Sequence, residues 1–330
     1  MSGPSLMDQL SQVFPPKAKF MEKNLQDLSG KVYLITGANT GLGKILARML
    51  YSKNAKIYIA ARSEEKAVKA IDDIKQAEPS STGDLVFLRL DLADLTTIKA
   101  SAQQFLDKEQ RLDVLFNNAG VMKPADGATS AQGYELQLGV NNVGTFLFTK
   151  LLTPVLAATA KSEDAGAVRV VWVSSSAAES PMAPKGGVPM DNLDYRKDVG
   201  WFPKYAISKA GNFLHGAEYA KRHRVDGILS VSLNPGNLDS DLWRNQSWLV
   251  TKFLQWFVLH PPIMGSYTEL FAGLSPDVTM EKSGGWIVPW GRFMKIRKDL
   301  YEATKTQEEG GSGIAKSFWE WTEEQVKSYL

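Results

Sequence analysis

The chain has 330 residues, of which 44% are hydrophobic, and a formal net charge of +2. That length is enough for one large α/β domain with a well-buried core, although two smaller domains would also fit. The near-neutral charge gives no reason to expect a nucleic-acid partner. Because cysteine is absent, disulfides, thiolate catalysis and cysteine-based metal sites are excluded. The three histidines, His215, His223 and His260, lack metal-ligand spacing, so we expect no metal.

Residues 1–30 are polar and contain Pro15-Pro16, without the apolar run of a signal peptide. No stretch has the length of uninterrupted apolar residues that predicts a membrane span. The apolar stretch 253–263 is broken by Gln255, His260 and two prolines, so burial or pocket lining is favoured over contact with a membrane surface. We therefore expect a cytoplasmic protein without a transmembrane segment.

Short apolar, β-branched runs alternate with longer helical segments along the first 233 residues. Strand 31–36 is followed by helix 42–52, and strand 56–60 by helix 63–76. The remaining strands are predicted at 85–90, 112–116, 168–173 and 227–233. Near-continuous apolar strands alternating with helices indicate a parallel sheet covered on both faces. Right-handed crossovers make a doubly wound fold the expected topology.

Three regions depart from this alternation. Residues 177–200 are rich in proline, glycine and charge and are predicted to form a long loop near a site. Residues 237–264 are apolar, contain tryptophan and also follow a strand. In the tail, a glycine patch at 310–313 predicts a flexible joint within one domain, and an amphipathic helix is predicted from about 314 to the end.

A glycine-rich turn, TGANTGLG at residues 36–43, links the first predicted strand to the first helix. Glycines make the turn tight and let the backbone approach a phosphate closely. The helix N-terminus then offers free N–H groups and a partial positive charge to a pyrophosphate. A tight turn without a ligand is the alternative, but the spacing and the position after the first strand favour dinucleotide binding.

The spacing Gly-x-x-x-Gly-x-Gly in this turn resembles the cofactor turn of the short-chain dehydrogenase/reductase family. The resemblance implies a single-domain Rossmann fold with a seven-stranded parallel sheet, helices on both faces and a C-terminal helical extension. We therefore expect an N-terminal extension at 1–28, the main domain at 29–290 with a substrate loop at about 237–264, and an extension at 291–330 packed on the same domain. The implied cofactor contacts of the turn are Gly37, Asn39, Thr40, Gly41, Leu42 and Gly43.

The end of the second strand bears on which dinucleotide binds. A NAD-specific site usually has a carboxylate there, whereas this chain has Ala61 followed by Arg62. A guanidinium pairs with a 2′-phosphate that a carboxylate would repel, so NADP(H) is favoured over the alternative of an ordinary surface arginine. Asp91 matches the family acid at the adenine, and Leu92 follows with its backbone. The alternative role for Asp91 is a helix cap, for which Asp94 is better placed.

The segment YAISK (205–209) places Tyr205 and Lys209 on one helix face. A phenol has a pKa of about 10, and a nearby cation favours its ionised form. We therefore expect Lys209, together with an oxidised nicotinamide, to lower the pKa of Tyr205 and tune it as a general acid or base. A lone Tyr-x-x-x-Lys is common by chance, but this one follows the fifth strand, where the family has it.

Two further catalytic side chains are implied by the resemblance. Among the serines of VSSS (173–176), Ser175 matches the carbonyl-orienting hydroxyl, and Ser174 and Ser176 remain alternatives. Asn141 matches the family asparagine that supports a proton relay through water and lysine, with adjacent Asn142 as the alternative.

Other family motifs imply further cofactor contacts. The segment NNAG (117–120) resembles the motif that braces the sheet beside the cofactor. Pro235-Gly236, after the sixth strand, resembles the motif beside the nicotinamide, where the backbone of Leu238 and the hydroxyl of Ser240 would contribute. The contacts implied by these motifs are Asn118, Ala119, Gly120, Pro235, Gly236, Leu238 and Ser240, with Tyr205 and Lys209 also touching the cofactor.

The combined motifs imply hydride transfer between NADP(H) and a carbonyl or alcohol, with Ser175 and Tyr205 holding the oxygen. The alternatives are a non-redox isomerase or cyclase, or an NADP(H)-binding scaffold or sensor. The overall pattern resembles the retinol-dehydrogenase-like branch, including long-tailed fungal members, which favours a lipophilic ketone, aldehyde or secondary alcohol of secondary metabolism. Aromatic residues of the presumed substrate loop suit such a substrate or, equally, the core or an interface: Trp243, Trp248, Trp256 and Phe257.

Family members often dimerise through the helices that carry Asn141 and Tyr205. The C-terminal tail of this chain could cover a surface that other members use for tetramers. We therefore expect a homodimer or a monomer.

Overall fold

The computed structural model describes residues 3–239 and 259–330. Eight strands form one sheet: β1 (Val32–Thr36), β2 (Lys56–Ala61), β3 (Asp84–Arg89), β4 (Val114–Asn117), β5 (Arg169–Val173), β6 (Leu229–Leu233), β7 (Trp286–Val288) and β8 (Arg292–Met294). Their order is β3-β2-β1-β4-β5-β6-β7-β8. Strands β1 to β7 pair in parallel, and β8 pairs antiparallel with β7. The order reverses between β1 and β4, where ligands of such sheets usually bind.

Helices cover both faces of the sheet. They are α1 (Leu6–Val13), α2 (Gly41–Tyr51), α3 (Glu64–Ala77), α4 (Leu95–Leu106), α5 (Leu136–Ala160), α6 (Trp201–Arg222), α7 (Pro262–Leu274), α8 (Lys298–Ala303) and α9 (Ile314–Val326). One buried cluster joins α2, α3 and α7 to the sheet, and a second joins α4, α5, α6 and α9 to the opposite face. Because both faces are covered, β1, β5 and β6 are buried along their whole length, which agrees with their largely apolar sequences.

The doubly wound parallel sheet expected from the sequence is confirmed, with the first six strands within two residues of their predicted ends. An additional strand, β8, extends the sheet past residue 290, where the C-terminal extension was expected to begin. Gly291 makes this possible, because its φ of +82° allows the chain to turn back directly after β7. The segment between β5 and α6 contains a 3-10 turn at Ser176–Glu179 followed by turns and loop, as predicted.

The long helix α5 is the most apolar element that packs on the sheet. By length and composition it could cross a membrane, which the sequence had not indicated, but 61% of its most apolar window is buried inside the protein. It contains a π-helical segment, Gly139–Gly144, which carries Asn141. Such segments interrupt α-helices mostly at functional sites. Helix α5 is therefore a core helix of this fold.

The C-terminal tail ends in α9 and a 3-10 turn, Lys327–Tyr329. Helix α9 packs against α6 and α5. These are the helices through which a family-type dimer was expected to form. The glycine patch before it is an ordered turn, because the amides of Gly311 and Gly313 donate to Thr306 O (2.8 Å) and Lys305 O (2.9 Å). The flexibility of this joint stays a prediction.

Candidate active site

The glycine-rich turn lies between β1 and α2 at the carboxyl end of the sheet. Gly37 and Gly41 have φ values of +69° and +57°, a region that L side chains rarely adopt. A Cβ on Gly43 would lie 2.6 Å from Nδ2 of Asn118, so glycine is needed for α2 to approach β4 this closely. The hydroxyl of Thr40, at the N-cap, does not bond the first amides of α2. These N–H groups are therefore available to a phosphate.

The segment NNAG braces this turn, as its resemblance to the family motif implied. Asn118 Nδ2 donates to Thr36 O (2.7 Å), and Ala119 N donates to Thr36 Oγ1 (2.9 Å). Asn117 Nδ2 donates to Thr149 Oγ1 (2.8 Å) on α5. The segment thus links the ends of β1 and β4 to the helix that carries Asn141.

Arg62 directly follows β2, and this strand end adjoins the glycine turn because Gly37 N donates to Ala60 O (2.7 Å). Ala61 is buried, whereas Arg62 is exposed. Within the described ranges, its guanidinium has no hydrogen-bond or ion-pair partner. The strand end therefore presents a free guanidinium beside the turn, with no carboxylate at Ala61 to repel a 2′-phosphate.

The end of β3 contributes Asp91 and Leu92. Asp91 Oδ1 accepts a hydrogen bond from Ala93 N (3.0 Å), so this side chain stabilises a turn. Asp94 Oδ1 accepts one from Thr96 N (3.0 Å) and caps α4, as the sequence predicted. Asp91 is thus not the cap of α4, which removes the alternative to its implied adenine-side role.

Three candidate catalytic side chains meet at the end of β5. The side chain of Ser175 is close enough to Tyr205 to lower the pKa of its hydroxyl. Lys209 Nζ lies 5.8 Å from the ring centre of Tyr205 and donates to Val173 O (2.8 Å). Ser174, in contrast, donates to Lys209 O (2.6 Å) and is buried, which leaves Ser175 as the serine that faces Tyr205.

Asn141 lies on the other side of Lys209. Its side chain exchanges hydrogen bonds with the backbone of Val121, at 2.8 and 3.0 Å. A Cβ on Gly120 would lie 3.2 Å from both Asn141 Oδ1 and Lys209 Nζ, so these two side chains flank Gly120. Asn142 points elsewhere and binds Ser208 O (2.9 Å) on α6. Of the two asparagines, Asn141 is the one beside the lysine.

The pKa values of this cluster are set mainly by burial. Burial raises the pKa of Tyr205 to about 12, and the interaction with the Ser175 side chain acts in the opposite direction. Burial lowers the pKa of Lys209 to about 8, and the attraction of Glu269 opposes this. The expected lowering of the Tyr205 pKa by Lys209 is not seen among these residues, because the amine binds Val173 O and desolvation dominates. Tyr205 is therefore protonated near neutral pH, the form that a general acid needs.

Glu269, on α7, is a titratable residue that the sequence analysis missed. It is fully buried, and neither carboxyl oxygen has a hydrogen-bond partner in the part of the chain that the structure describes. Burial raises its pKa to about 8, with Lys209 acting in the opposite direction. The available signal was a single charged residue within the otherwise uncharged run 264–274. The described residues contain no group of three or more His, Cys, Asp or Glu side chains that could hold a metal ion.

The loop after β6 adjoins the glycine turn from the opposite side. Gly236 has a φ of +98°, and its N–H donates to Asn234 Oδ1 (3.0 Å). A Cβ added to Gly265 would contact the side chains of both Leu238 and Leu42, so the loop and the turn meet at the start of α7. Pro235 lies between Asn234 and Gly236 in this loop. The remaining predicted residues of the region lie outside the described ranges: Ser240, Trp243, Trp248, Trp256 and Phe257.

Comparison with known proteins agrees with this arrangement. A family model described as short chain dehydrogenase matches residues 31–186. A "Short-chain dehydrogenase/reductase" of Phomopsis amygdali is 57% identical over 330 residues, covering 99% of this chain and 98% of that protein. The solved "RhlG/NADP active-site complex" of Pseudomonas aeruginosa has a TM-score of 0.62 and 23% identity, covering 79% of this chain and 95% of its own.

A second solved structure is the 3-ketoacyl-(acyl-carrier-protein) reductase of Brucella melitensis complexed with NADH. Its TM-score is 0.61 at 22% identity, and the match covers 81% of this chain and 99% of that chain. The two solved structures share the fold with this chain, and their bound cofactors are NADP in one case and NADH in the other.

Proposed function

The chain belongs to the short-chain dehydrogenase/reductase family, and from this premise we propose that it transfers hydride between NADP(H) and a lipophilic ketone or aldehyde, or the corresponding secondary alcohol. The main support for this proposal is that four side chains lie close together beside the glycine turn: Ser175, Tyr205, Lys209 and Asn141. The intact set favours an oxidoreductase over a scaffold, sensor, isomerase or cyclase.

The chain's own residues fit a nicotinamide dinucleotide. The free N–H groups of α2 would bind the pyrophosphate, with the turn residues Gly37 to Gly43 lining it. Arg62 would pair with the 2′-phosphate of NADP(H), and Asp91 and Leu92 would lie at the adenine. The other proposed contacts are Asn118, Ala119, Gly120, Tyr205, Lys209, Pro235, Gly236, Leu238 and Ser240.

The proposed mechanism assigns the proton to this chain's residues, while the bound cofactor supplies or accepts the hydride. The hydroxyls of Ser175 and Tyr205 would hydrogen-bond the substrate oxygen and stabilise the negative charge that develops there. Tyr205 then donates its proton to that oxygen, and in the reverse direction it accepts one. Lys209 and Asn141, which flank Gly120, would return a proton to Tyr205 from the solvent.

Substrate, setting and assembly belong to the same proposal. The tryptophans of segment 240–258 support a lipophilic substrate. A role in secondary metabolism is proposed from the resemblance of the sequence to long-tailed fungal members of the family. We propose a cytoplasmic location. The cover that α9 provides for α6 and α5 favours a monomer over a family-type dimer.

The decisive experiment replaces Tyr205 with phenylalanine and measures NADPH oxidation against a panel of lipophilic ketones and aldehydes. Loss of the proton donor is expected to lower kcat by about 10²- to 10⁴-fold, with NADPH affinity within about threefold of the wild type. The matched control is Tyr219→Phe, one buried tyrosine for another on α6, whose hydroxyl contacts Thr153 (3.0 Å) away from the cluster. Wild-type turnover by Tyr205→Phe would exclude the mechanism.

A further inference from the structure

The N-terminal helix α1 precedes the segment matched by the family model, and the side chain that it buries is polar. Gln12 is the buried residue of α1, with 8% of its surface exposed. Leu6, Met7 and Phe14, in contrast, are exposed. An uncharged amide buried in place of these apolar side chains needs hydrogen-bond partners to offset its desolvation.

Both ends of the Gln12 amide are satisfied by residues beside the candidate active site. Nε2 of Gln12 donates to Glu179 Oε2 (2.8 Å), and Oε1 accepts from Asn234 Nδ2 (2.9 Å). Glu179 follows Ser175 by four residues, and Asn234 directly precedes Pro235. One side chain of α1 therefore connects the segment that follows the candidate catalytic serine with the loop after β6.

The contact with Gln12 fixes which way the amide of Asn234 points. Because Nδ2 of Asn234 donates to Gln12, its Oδ1 faces Gly236 N and accepts that hydrogen bond at 3.0 Å. The reversed amide would place two acceptors together and two donors together. Gln12 thereby supports the backbone hydrogen bond at Gly236, the residue with a φ of +98°.

The neighbouring backbone of α1 is also held in place. Arg292 donates to Ser11 O (2.8 Å), and the ring nitrogen Nε2 of His260 bonds to Val13 O (3.0 Å). The backbone of His260 pairs in turn with that of Leu238 in the loop after β6. The docking of α1 therefore reaches the loop at two points, through Gln12 and through His260.

The carboxylate partner of Gln12 is held by other donors as well. Trp286 Nε1 donates to Glu179 Oε2 (3.2 Å), and the backbone N–H of Arg297 donates to Oε1 (3.2 Å). Gln12 thus joins a network that is already anchored by β7 and by the segment before α8. The contact with Glu179 fixes the orientation of the Gln12 amide. The Gln12 amide in turn fixes the orientation of the Asn234 amide.

From these contacts we infer that Gln12 is a positioning residue, which holds the loop 234–238 in the conformation that accepts the nicotinamide half of NADP(H). The inference rests on the proposed function, since the loop faces the cofactor only if the chain binds one. It gives the N-terminal helix, outside the matched family segment, a role in cofactor binding.

The test compares the affinities of the full-length protein for NADPH and for 2′,5′-ADP, which contains the adenosine half and its 2′-phosphate but no nicotinamide. Gln12→Leu is expected to raise the Kd of NADPH by about tenfold, the effect of one lost buried hydrogen-bond partner. The Kd of 2′,5′-ADP should stay within about twofold of the wild-type value. Gln9→Leu is the matched control, the same change at an exposed position of α1. It should leave both affinities unchanged.

A second variant shows whether Gln12 acts through Asn234. Asn234→Ala should produce the same selective loss, and the double variant should lose less than the product of the two single losses, because both remove the same contact. Equal weakening of NADPH and 2′,5′-ADP by Gln12→Leu, wild-type NADPH affinity, or independent losses in the double variant would each overturn the inference. Failure of the wild type to bind either ligand would instead reject the proposed function.

Discussion

Replacing Glu269 with glutamine removes a buried ionisable group and should change how stability depends on pH. Glu269 lies on α7, which packs on α2 and on strands β4, β5 and β6. None of its surface is exposed, and its carboxyl oxygens make no hydrogen bond to any residue in 3–239 or 259–330. The charge that acts on it is Lys209, whose attraction is outweighed by burial. The folded protein therefore favours the protonated carboxyl.

The expected magnitude follows from the pKa, which burial raises from the ordinary 4.5 to about 8. Between these values the unfolded chain releases the proton that the folded chain retains, so rising pH favours unfolding. Each pH unit between 4.5 and 8 lowers the free energy of unfolding by about 1.4 kcal/mol. At pH 7 the wild type would thus lose roughly 3 kcal/mol relative to its stability below pH 4.5. Glu269→Gln lacks this loss, and its advantage should grow from pH 4.5 towards pH 8.

Urea unfolding of both proteins at several pH values between 4.5 and 8 measures this difference directly. Glutamine brings its own unpartnered amide, so the informative quantity is the change with pH rather than the offset at one pH. Glu281→Gln is the matched control, the same change at an exposed position. A difference that stays constant with pH would refute a raised pKa. Growing destabilisation of the variant would show instead that Glu269 is ionised and stabilised by Lys209.

Two further changes test the cofactor proposal and the C-terminal helix. Arg62→Ala should weaken NADPH by about tenfold or more, as expected for a lost charge-assisted hydrogen bond, and leave NADH within about twofold in a fluorescence titration; equal losses would contradict the proposed 2′-phosphate contact. Trp319→Ala should lower the free energy of unfolding by about 3–5 kcal/mol. The Trp319 side chain is 4% exposed, and its ring packs edge-on against that of Phe146, with 4.6 Å between the ring centres. A loss under about 1 kcal/mol in urea unfolding would show that α9 contributes little.

The features that the sequence predicted are those determined by residues close together in the chain. The glycine turn follows from three glycines within seven residues, and the pairing of Tyr205 with Lys209 follows from one helical turn. Strands β1 to β6 were identifiable because each lies in a short, largely apolar segment. In contrast, β7 and β8 have three residues each, too few to show a period. Helix α1 begins with a local signal of its own, the capping box of Ser5 and Asp8.

Choices between neighbouring residues depended on the folded chain. The sequence left three serines after β5, and their hydroxyls diverge because successive residues of an extended backbone point to opposite sides. Ser174 consequently bonds Lys209 O, while Ser175 faces Tyr205. Asn141 and Asn142 separate because successive side chains of a helix point in directions about 100° apart. A motif therefore narrows such a choice to adjacent positions, and the direction of the side chain decides between them.

Gln12 and Glu269 could not be assigned from local patterns, for opposite physical reasons. The Gln12 partners are 167 and 222 positions away in the chain, so the contacts that make it informative exist only after the sheet has formed. Glu269 has no hydrogen-bond partner among the residues that the structure describes, and its importance comes from the depth at which α7 buries it. In both cases the cost of desolvating a polar group is the physical signal. Gln12 offsets that cost with two hydrogen bonds, which implies a defined loop geometry. Glu269 offsets it by keeping a proton, which makes the stability of the protein sensitive to pH.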